Sequence, residues 1–487
     1  MSSRIFANLG FLLQIAGLLT ILPIGIGLYF NEIESVISLF LVCVAFLGCG
    51  FLLNALCERK DLDFKSSNVL FLAAFIVMPL LGALPYVYSD PFNSVNLFDR
   101  FTNAYFESVS GFTTTGFSFV LNADVLPKSL LVYRSLTELM GGVGLVFLLL
   151  AFFQSRKAMG SFSNALGIDT LSSNLKRIFF SVFAIYGVYI IAFTIIFHSI
   201  GFTDWIKTGT FVIDTLTGGF APSAQQFQQY LSFGSAPKIC MIILMFLGSV
   251  NFAFNYHLFA RKLKKVISAE TALYFLIIAV GTAAVAFTAD IGALDSLFHV
   301  VSMSSSTGYD YIALTSASFN STAFSIFIVL MLIGGCAFSM AGGIRISRLI
   351  TFAKSIKHSI KDVFIKEKVI SEPETQTETN SHEYLPALVS ILLFIFTLVI
   401  FAIIFTTIGV SFTDALFEVG SALTTNGISM GATTVSMPIA YKWLMIVAMT
   451  IGRIEIMSVL IALFPHKTKK LTENTAQQIT NGDANST

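Results

Sequence analysis

Charged residues are scarce in this sequence. Asp, Glu, Lys and Arg together make up 12% of its 487 residues, about half of what soluble proteins carry. Hydrophobic residues make up 55%, and the mean hydropathy is +0.80. These values exclude a soluble domain of this length, and a net charge of +1 excludes a strongly basic nucleic-acid binder.

Residues that build catalytic and metal centres are also few. The six histidines show no H-x-x-x-H or similar spacing, and no Walker or Rossmann glycine motif is present. The rival class of a membrane enzyme, which needs converging acids, bases or metal ligands, is therefore disfavoured. The cysteines are odd in number and lack the paired spacing of a disulfide framework or zinc site, so we interpret them as small core residues: Cys43, Cys49, Cys57, Cys240 and Cys336.

Long apolar runs dominate the chain instead. Ten are long enough to cross a hydrocarbon core of about 30 Å, at 5–30, 33–56, 68–88, 127–154, 178–200, 238–260, 270–290, 322–344, 384–409 and 439–464. Four shorter stretches end in Thr/Ser/Gly clusters, at 99–112, 204–216, 293–305 and 412–424. Their length predicts re-entrant helices, which enter the membrane and turn back.

Lysine and arginine placement predicts the orientation. Most of the 29 basic residues lie at Arg4, in alternate loops (57–67, 155–177, 261–269 and 345–383) and in the tail from 465. Cytoplasmic loops carry the positive excess, so both termini are predicted to be cytoplasmic. The four short stretches then enter from outside.

A repeat organises the chain. Its anchors are Gly116 in TTTGF, Gly219 in LTGGF, Gly308 in SSTGY and Gly427 in TTNGI. Thirteen residues before the first, third and fourth anchors lie Asn103, Asp295 and Asp414, whereas Asp204 of the second unit is offset. Small-residue breaks follow each anchor, at Gly141–Gly142, Gly248–Ser249, Gly334–Gly335 and Gly452.

The unit is thus helix, short re-entrant helix, glycine-centred turn, helix. The sequence predicts an all-α membrane protein with two N-terminal helices (1–66) and four units (67–176, 177–266, 267–368 and 383–470) around a central pore. A polar linker (369–382) precedes the fourth unit, and a polar tail (471–487) follows it.

Four glycine turns at one level would present backbone carbonyls to a common axis. Carbonyl oxygens can replace the hydration shell of a cation, and glycine allows a close approach that a Cβ would obstruct. The Asn or Asp thirteen residues upstream is expected to cap the short helix. One Thr/Ser/Gly cluster alone is better explained as ordinary helix packing, but four in register favour a filter.

The pattern resembles the superfamily of Trk, Ktr and HKT potassium transporters, most closely the Trk membrane subunit. The resemblance rests on FES at 106–108 with TTTG at 113–116, LPKSLLVYR at 126–134, GGVG at 141–144, IGGCAFSMAGGIRISRL at 333–349 and IGRIEIM at 451–457. It implies potassium uptake through a selectivity filter. The implied filter residues are Thr113, Thr114, Thr115, Gly116, Phe117, Thr217, Gly218, Gly219, Phe220, Ser305, Ser306, Thr307, Gly308, Tyr309, Thr424, Thr425, Asn426, Gly427 and Ile428.

Potassium is then the bound and transported ion, and no other cofactor is expected in this chain. The implied potassium ligands are Thr114, Thr115, Thr217, Gly218, Ser306, Thr307, Thr425 and Asn426. A glycine in all four filter segments goes, by the resemblance, with a preference for potassium over sodium. A sodium- or proton-coupled symporter of another cation or solute remains the alternative.

Several charges lie at membrane depth, where their default interpretation is functional. By the resemblance Arg453 faces the ion path below the filter; its alternative is a structural ion pair with Glu138. Arg134 and Glu138 are spaced to form a local pair on one helix face, and Glu455 is expected on a different face from Arg453. The acids of the short helices, Glu107, Asp214 and Glu418, are expected to brace the filter by hydrogen bonds.

One unit contains an interruption rich in small residues. It comprises Gly335, Cys336, Ala337, Phe338, Ser339, Met340, Ala341, Gly342 and Gly343. Broken helices at membrane depth occur where they line a cavity or are covered by protein. The resemblance implies an intramembrane gating loop, and the alternative is a packing kink.

The resemblance also implies partners and a location. Its members work as membrane dimers with a cytoplasmic nucleotide-binding ring subunit of the TrkA kind. We therefore expect a homodimer with a separate regulatory partner, in the inner membrane of a prokaryotic cell.

Overall fold

The computed structural model describes residues 2–57, 62, 64–120, 122–152, 175–220, 224–289, 291–312, 319–364 and 375–464. Within these ranges every regular element is a helix, which confirms the all-α prediction. The helices of the first half are α1 Ser2–Leu19, α2 Ile21–Tyr29, α3 Ile33–Leu56, α4 Phe64–Gly82, α5 Leu84–Ser89, α6 Leu97–Phe112, α7 Lys128–Phe152, α8 Leu175–Ile200, α9 Trp205–Thr217, α10 Ala224–Ser232, α11 Ser235–Ser249 and α12 Phe252–Phe259.

The second half continues with α13 Ala269–Thr288, α14 Ala293–Ser305, α15 Ser321–Ile333, α16 Ile346–Phe364, α17 Thr375–Thr406, α18 Phe412–Leu423, α19 Ile439–Ile454 and α20 Ile456–Leu463. Two 3₁₀ turns, Ala123–Val125 and Leu263–Lys265, lie in loops.

Six helical segments among the described residues are long and apolar enough to cross a membrane, and eight if each of two bent helix pairs is one span. The bent pairs are α11 with α12, at 112°, and α19 with α20, at 97°. The predicted span 322–344 is helical only as α15, which ends at Ile333. Gly334 follows with a φ of +69°, a conformation that ends the helix at little cost only for glycine.

Helices occupy all four predicted short stretches, as α6, α9, α14 and α18, which we call the short helices. Each packs between two longer helices of its own part of the chain, and each also contacts a long helix of the preceding part. Thus α7 packs on α9, α11 on α14, α15 on α18, and α19 returns to α6. The contacts therefore close in a ring, while α1, α2 and α3 pack together beside it.

Glycines on three long helices let the short helices approach closely. A Cβ on Gly141, Gly248 or Gly452 would collide with the last carbonyl oxygens of α6, α9 or α18, those of Phe112, Leu216 and Leu423. The predicted breaks differ among the units. α7 runs unbroken through Gly141–Gly142, whereas α11 ends at Ser249 and α19 ends two residues beyond Gly452, at Ile454.

The capping prediction was wrong for all three residues for which it was made, Asn103, Asp295 and Asp414. The residues that cap α6 and α18 are Asn96 and Ser411, and Gly292 precedes α14 without a side-chain cap. Asn103 lies inside α6, while Asp295 and Asp414 lie in the first helical turn. The offset residue of the second unit, Asp204, does cap its helix, α9. The repeat spacing marked the helix but not its first residue, because these helices start at different distances from their glycines.

The predicted linker 369–382 is partly helical, since α17 begins at Thr375. A helix that is already nucleated by an apolar run can extend through polar residues at little cost. Residues 369–374, the tail 471–487 and the inner loop from 155 to 174 lie outside the described residues.

Candidate functional site

The carboxyl ends of the four short helices converge on four glycine segments, 113–117, 217–220, 305–309 and 424–428. Their glycines share a left-handed backbone, with φ of +83°, +84°, +71° and +80° in chain order. A Cβ on any one would strike the neighbouring segment. At Gly116 the nearest atom would be the Gly218 oxygen, at 2.6 Å.

The same contact repeats around the ring. A Cβ on Gly219 would meet the carbonyl oxygen of Thr307, one on Gly308 that of Asn426, and one on Gly427 that of Thr115. The carbonyl of the residue before each glycine therefore lies against the glycine of the preceding segment, and that of segment 1 against the glycine of segment 4. The four segments lie edge to edge in a closed ring, with the negative ends of the short-helix dipoles beside it.

In segments 1, 3 and 4 a hydroxyl-bearing residue lies two positions before the glycine, on the side of the short helices. We call this the hydroxyl level. Thr114, Ser306 and Thr425 all have left-handed backbones, with φ of +54°, +61° and +52°. Segment 2 departs from the others, because Thr217 is the last residue of α9. The Oγ1 atoms of Thr114 and Thr425 are buried and have no hydrogen-bond partner. The same is true of the Oδ1 atom of Asn426. Unpartnered oxygens at this point are suited to coordinate a cation.

Two glutamates of the short helices brace the chain beyond the glycines. Glu107 accepts hydrogen bonds from Phe119 N at 2.9 Å and from the Ser118 hydroxyl at 2.9 Å. Glu418 accepts from Met430 N at 2.7 Å, from Ala432 N at 3.2 Å, and from two hydroxyls. Both carboxylates are fully buried, so these donors offset their desolvation.

The expected local pair between Arg134 and Glu138 does not form. The Arg134 guanidinium is hydrogen-bonded to Glu107 instead, at 2.9 and 3.1 Å. Glu138 accepts from Phe220 N at 3.0 Å and contacts the Thr217 hydroxyl at 3.2 Å. The sequence spacing suggested a pair within one helix, but Arg134 reaches Glu107 of α6, whereas Glu138 reaches segment 217–220.

The segment 335–343 lies against all parts of the ring. It is hydrogen-bonded to the second unit through Cys336 N to the Ser249 oxygen, at 2.9 Å, and through Met340 N to the Gly248 oxygen, at 3.1 Å. The Met340 side chain lies against Gly142 of the first unit. The segment therefore crosses from one side of the ring to the other.

The segment also touches the glycine ring itself. Gly342 N donates to the Ser306 hydroxyl at 3.0 Å. A Cβ on Gly342 would collide with the Thr424 oxygen and lie 2.5 Å from the Thr425 Oγ1 atom. Thus the loop reaches the hydroxyl level of segments 3 and 4.

Arg453 joins this loop to the first unit. Its Nη1 atom donates to the Met340 carbonyl at 2.7 Å, and its Nη2 atom to the Gly141 carbonyl at 3.1 Å. Arg453 is only 2% exposed, and it forms no ion pair with Glu138. The structural alternative predicted from the sequence is therefore wrong in its partner, because carbonyls hold the guanidinium.

Glu455 lies at the bend between α19 and α20, with a φ of +75°. It pairs with Arg345 at 2.8 Å and with Arg348, at the end of the loop. The sequence predicts Glu455 on another face from Arg453 but does not reveal these two arginine partners. Arg345 and Arg348, two basic residues directly after the interruption, were the sequence feature from which these ion pairs could have been predicted.

Lysines near the starts of the longer helices are a feature that the sequence analysis missed. Lys128 pairs with Asp204 and Lys238 with Asp295, each at 2.7 Å. Buried Lys442 donates to Asn103 Oδ1 at 2.7 Å. Each contact joins one unit to the next. The fourth seam has stacked Phe324 and Phe417 rings instead, 4.9 Å apart.

The described residues contain no cluster of three or more His, Cys, Asp or Glu side chains arranged to hold a metal ion. The unpartnered oxygens of the ring are therefore the cation-binding groups that the geometry offers. They are neutral, so they suit a monovalent ion of low charge density better than a divalent one.

Comparison with known proteins agrees with this architecture. A family model described as TrkH, cation transport protein, matches residues 266–471. An uncharacterized cation transporter of Methanocaldococcus jannaschii is 30% identical over 463 residues, covering 93% of each chain. The Trk system potassium uptake protein TrkG of Escherichia coli is 26% identical, covering 93% of this chain and 96% of its own.

A solved structure has the same fold. The potassium transporter TrkH from Vibrio parahaemolyticus superposes with a TM-score of 0.78 at 20% identity, covering 96% of this chain and 99% of that one. The apolar helices and these relatives identify a multi-pass membrane protein. With a 30% identical relative along nearly its whole length, this chain belongs to the TrkH family of cation transport proteins.

Proposed function

We propose that this chain takes up potassium ions through the glycine ring, which acts as its selectivity filter. The observation that carries the proposal is a closed set of contacts, in which the carbonyls of Thr115, Gly218, Thr307 and Asn426 lie against Gly427, Gly116, Gly219 and Gly308 of the adjacent segments. Similar proteins of Escherichia coli and Halomonas elongata are named Trk system potassium uptake proteins. In this proposal the ranges 67–176, 177–266, 267–368 and 383–470 are the four pore units.

The ring favours a weakly hydrated cation for a physical reason. Backbone carbonyls replace hydration water without carrying net charge, so binding is strong enough to admit an ion and weak enough to release it. The free hydroxyls of Thr114 and Thr425 would add ligands at the inner level. The side-chain amide of Asn426 donates to the Met303 carbonyl at 2.7 Å, which fixes that part of the ring.

Flux from proteoliposomes tests the proposal. Purified protein should admit radioactive potassium down an imposed gradient, with excess unlabelled potassium competing strongly and sodium weakly. Liposomes without protein give the background. Absence of cation flux, or equal competition by sodium and potassium, would overturn the proposal, and a requirement for a proton or sodium gradient would favour the symporter alternative.

The loop 335–343 is proposed as the gate below this filter. Its contacts with Ser249, Gly142, Ser306 and Arg453 support a closed position across the ring. Glycines and small side chains let such a loop change conformation without large packing losses. The ion pairs of Glu455 with Arg345 and Arg348 would hold its far end.

The regulatory partner is proposed to act through α16, which follows the loop. Relatives of this chain are named Trk system proteins, and α16 exposes Ile356 and Ile360 beside Lys354 and Lys357. A nucleotide-binding ring subunit on this helix could pull the loop. The proposal also holds that the protein forms a homodimer in the inner membrane, with both termini in the cytoplasm. Co-purification with a TrkA-like ring tests the regulatory partner.

A further inference from the structure

A carboxylate of α13 binds the backbone of the loop 335–343. Glu270, in the first turn of α13, accepts a hydrogen bond from Ala337 N at 2.6 Å. Both residues are half-buried, and a hydrogen bond to a carboxylate is stronger than one between neutral groups. Because α13 packs on α14 and α15, this bond ties the start of the loop to a fixed part of the third unit.

The helix end itself does not need this acid. Ser268 already caps α13, since its hydroxyl accepts from Thr271 N at 3.2 Å. The helix dipole is the ordinary explanation of an acid in the first helical turn. Here, however, the Glu270 carboxylate is directed to Ala337 of the loop, and none of the ion pairs among the described residues includes Glu270. The acid therefore acts on the loop as well as on its own helix.

The hydrogen bond lies beside a strained residue. Phe338 has a φ of +53°, in the left-handed region that bulky side chains rarely adopt. Contacts hold the chain on both sides of it, from Ala337 N to Glu270 and from Phe252 N to the Phe338 carbonyl at 3.0 Å. A conformation of this kind persists only where its surroundings fix it. Removal of the Glu270 contact should therefore let Phe338 relax.

The far end of the loop is held by another carboxylate. Glu455 of the fourth unit pairs with Arg345 and Arg348. The two ends of the loop are thus fixed by acids from different units, with ionic contacts at one end and a backbone hydrogen bond at the other. The start of the loop can be released by breaking that single hydrogen bond, without disturbing either ion pair.

We propose that Glu270 is a positioning residue that holds the start of the loop 335–343 in its closed position. This rests on the proposed role of the loop as the gate. When the hydrogen bond to Ala337 N breaks, Phe338 relaxes and the loop moves away from the glycine ring. Cation selectivity does not change, because this hydrogen bond lies outside the four glycine segments.

Cys336 reports the position of the loop without a transport measurement. It precedes Ala337 and is fully buried, so a thiol reagent reaches it only when the loop moves. In a variant with Cys336 as its only cysteine, Glu270→Ala should raise the rate of thiol modification about tenfold, equivalent to about 1.4 kcal/mol. Glu270→Gln should give a smaller rise, because its amide oxygen still accepts from Ala337 N but carries no charge.

Two controls separate release of the loop from general loosening of the protein. Ser268→Ala removes the cap of α13 but leaves the Glu270 carboxylate in place, so the rate at Cys336 should stay the same. Cys43 is buried in α3, away from the loop, and as the only cysteine it should react equally with and without Glu270→Ala. An equal rise at Cys43 and Cys336 would assign Glu270 to overall stability and overturn the inference.

Potassium flux in proteoliposomes separates this inference from the proposed function. Faster modification of Cys336 with higher flux and unchanged selectivity would support both. Faster modification with unaltered flux would show that Glu270 positions the loop but that the loop is not the gate. An unchanged rate at Cys336 in Glu270→Ala would overturn the inference, whatever the flux.

Discussion

At the scale of single residues, the four glycines differ in how closely the neighbouring segment approaches. A Cβ at Gly116 would lie 2.6 Å from its nearest atom, and it would come much nearer at the other three positions. Gly116→Ser is therefore the substitution that the ring can best accommodate. We expect its potassium preference over sodium to fall about tenfold, equivalent to about 1.4 kcal/mol, as measured by isotope flux with competing cations.

Gly409→Ser is the matched control for this change. Gly409 has a φ of +100° but open space around its Cβ position, so it carries the backbone strain without a carbonyl collision. It should leave selectivity unchanged. Equal loss of selectivity in both variants would attribute the effect to strain, and unaltered selectivity in Gly116→Ser would argue against a filter.

Arg453 gives a second prediction at this scale. Arg453→Gln removes a buried positive charge and shortens the reach to the Met340 and Gly141 carbonyls. Charge-assisted hydrogen bonds contribute about 1.5–3 kcal/mol each. Loss of the hydrogen bond to the Met340 carbonyl should favour a conformation in which the loop has moved away from the ring. Potassium flux, measured in proteoliposomes, should then rise roughly tenfold.

Folding must be checked alongside, because the guanidinium also joins two units. A size-exclusion profile like that of the unaltered protein would establish that Arg453→Gln is intact. Unchanged flux from such a protein would mean that the arginine only holds α7 and the loop together. Arg453→Lys should give an intermediate flux, since one ammonium cannot span both carbonyls in the same way.

Sequence patterns found Arg453 but not its partners, and the reason is physical. An arginine within an apolar run is conspicuous because burying its charge in a membrane costs free energy. Backbone carbonyl acceptors, in contrast, are present at every residue and cannot be recognised from a sequence. The Arg134–Glu138 prediction failed similarly. Helical spacing shows which side chains can meet on one helix, but the contact of Arg134 with Glu107 depends on how α6 and α7 dock.

At the scale of elements, the loop 335–343 is the feature to test. Deleting 337–341 removes the Met340 carbonyl that Arg453 binds and the hydrogen bond from Met340 N to the Gly248 oxygen. Potassium flux should rise and become less dependent on a regulatory partner, while selectivity stays close to that of the unaltered protein. Flux and cation competition in the same vesicles measure both properties.

A smaller change separates gating from damage by deletion. Gly342→Ala should push the loop away from Thr424 and Thr425, because the added Cβ has no room there. It should raise flux in the same direction as the deletion. Low, partner-dependent flux in both intact variants would mean that the gate lies elsewhere and that the segment is a packing kink.

The elements themselves were largely predictable. The Thr/Ser/Gly clusters located all four short helices, because a helix too short to cross must end where a turn is possible. Their first residues were not predictable from repeat spacing, since Asn96 and Ser411 provide the caps of α6 and α18. The bends after Ser249 and Ile454 depend on tertiary contacts, although small residues marked their neighbourhood.

At the scale of the whole molecule, the sequence predicted units but not the contacts between them. Lys128, Lys238 and Lys442 each bind the next short helix, while aromatic stacking replaces this contact between the third and fourth units. Such pairs join residues far apart in the chain, so periodicity cannot reveal them.

Burial alone would raise the pKa of Asp204, but Lys128 and two backbone amides hold that pKa below its usual value.

Membrane orientation is the last prediction at this scale, and it rests on the distribution of basic residues. Val95 is 93% exposed before the first short helix, and Ser359 is exposed on α16 after the loop. In a variant without its five native cysteines, Val95→Cys should react with an impermeant maleimide from outside intact cells. Ser359→Cys should react only after permeabilisation, because its neighbours Lys354 and Lys357 belong to the predicted cytoplasmic side. Labelling of both positions from the same side would contradict the arrangement in which the short helices enter from outside and the loop lies beneath them.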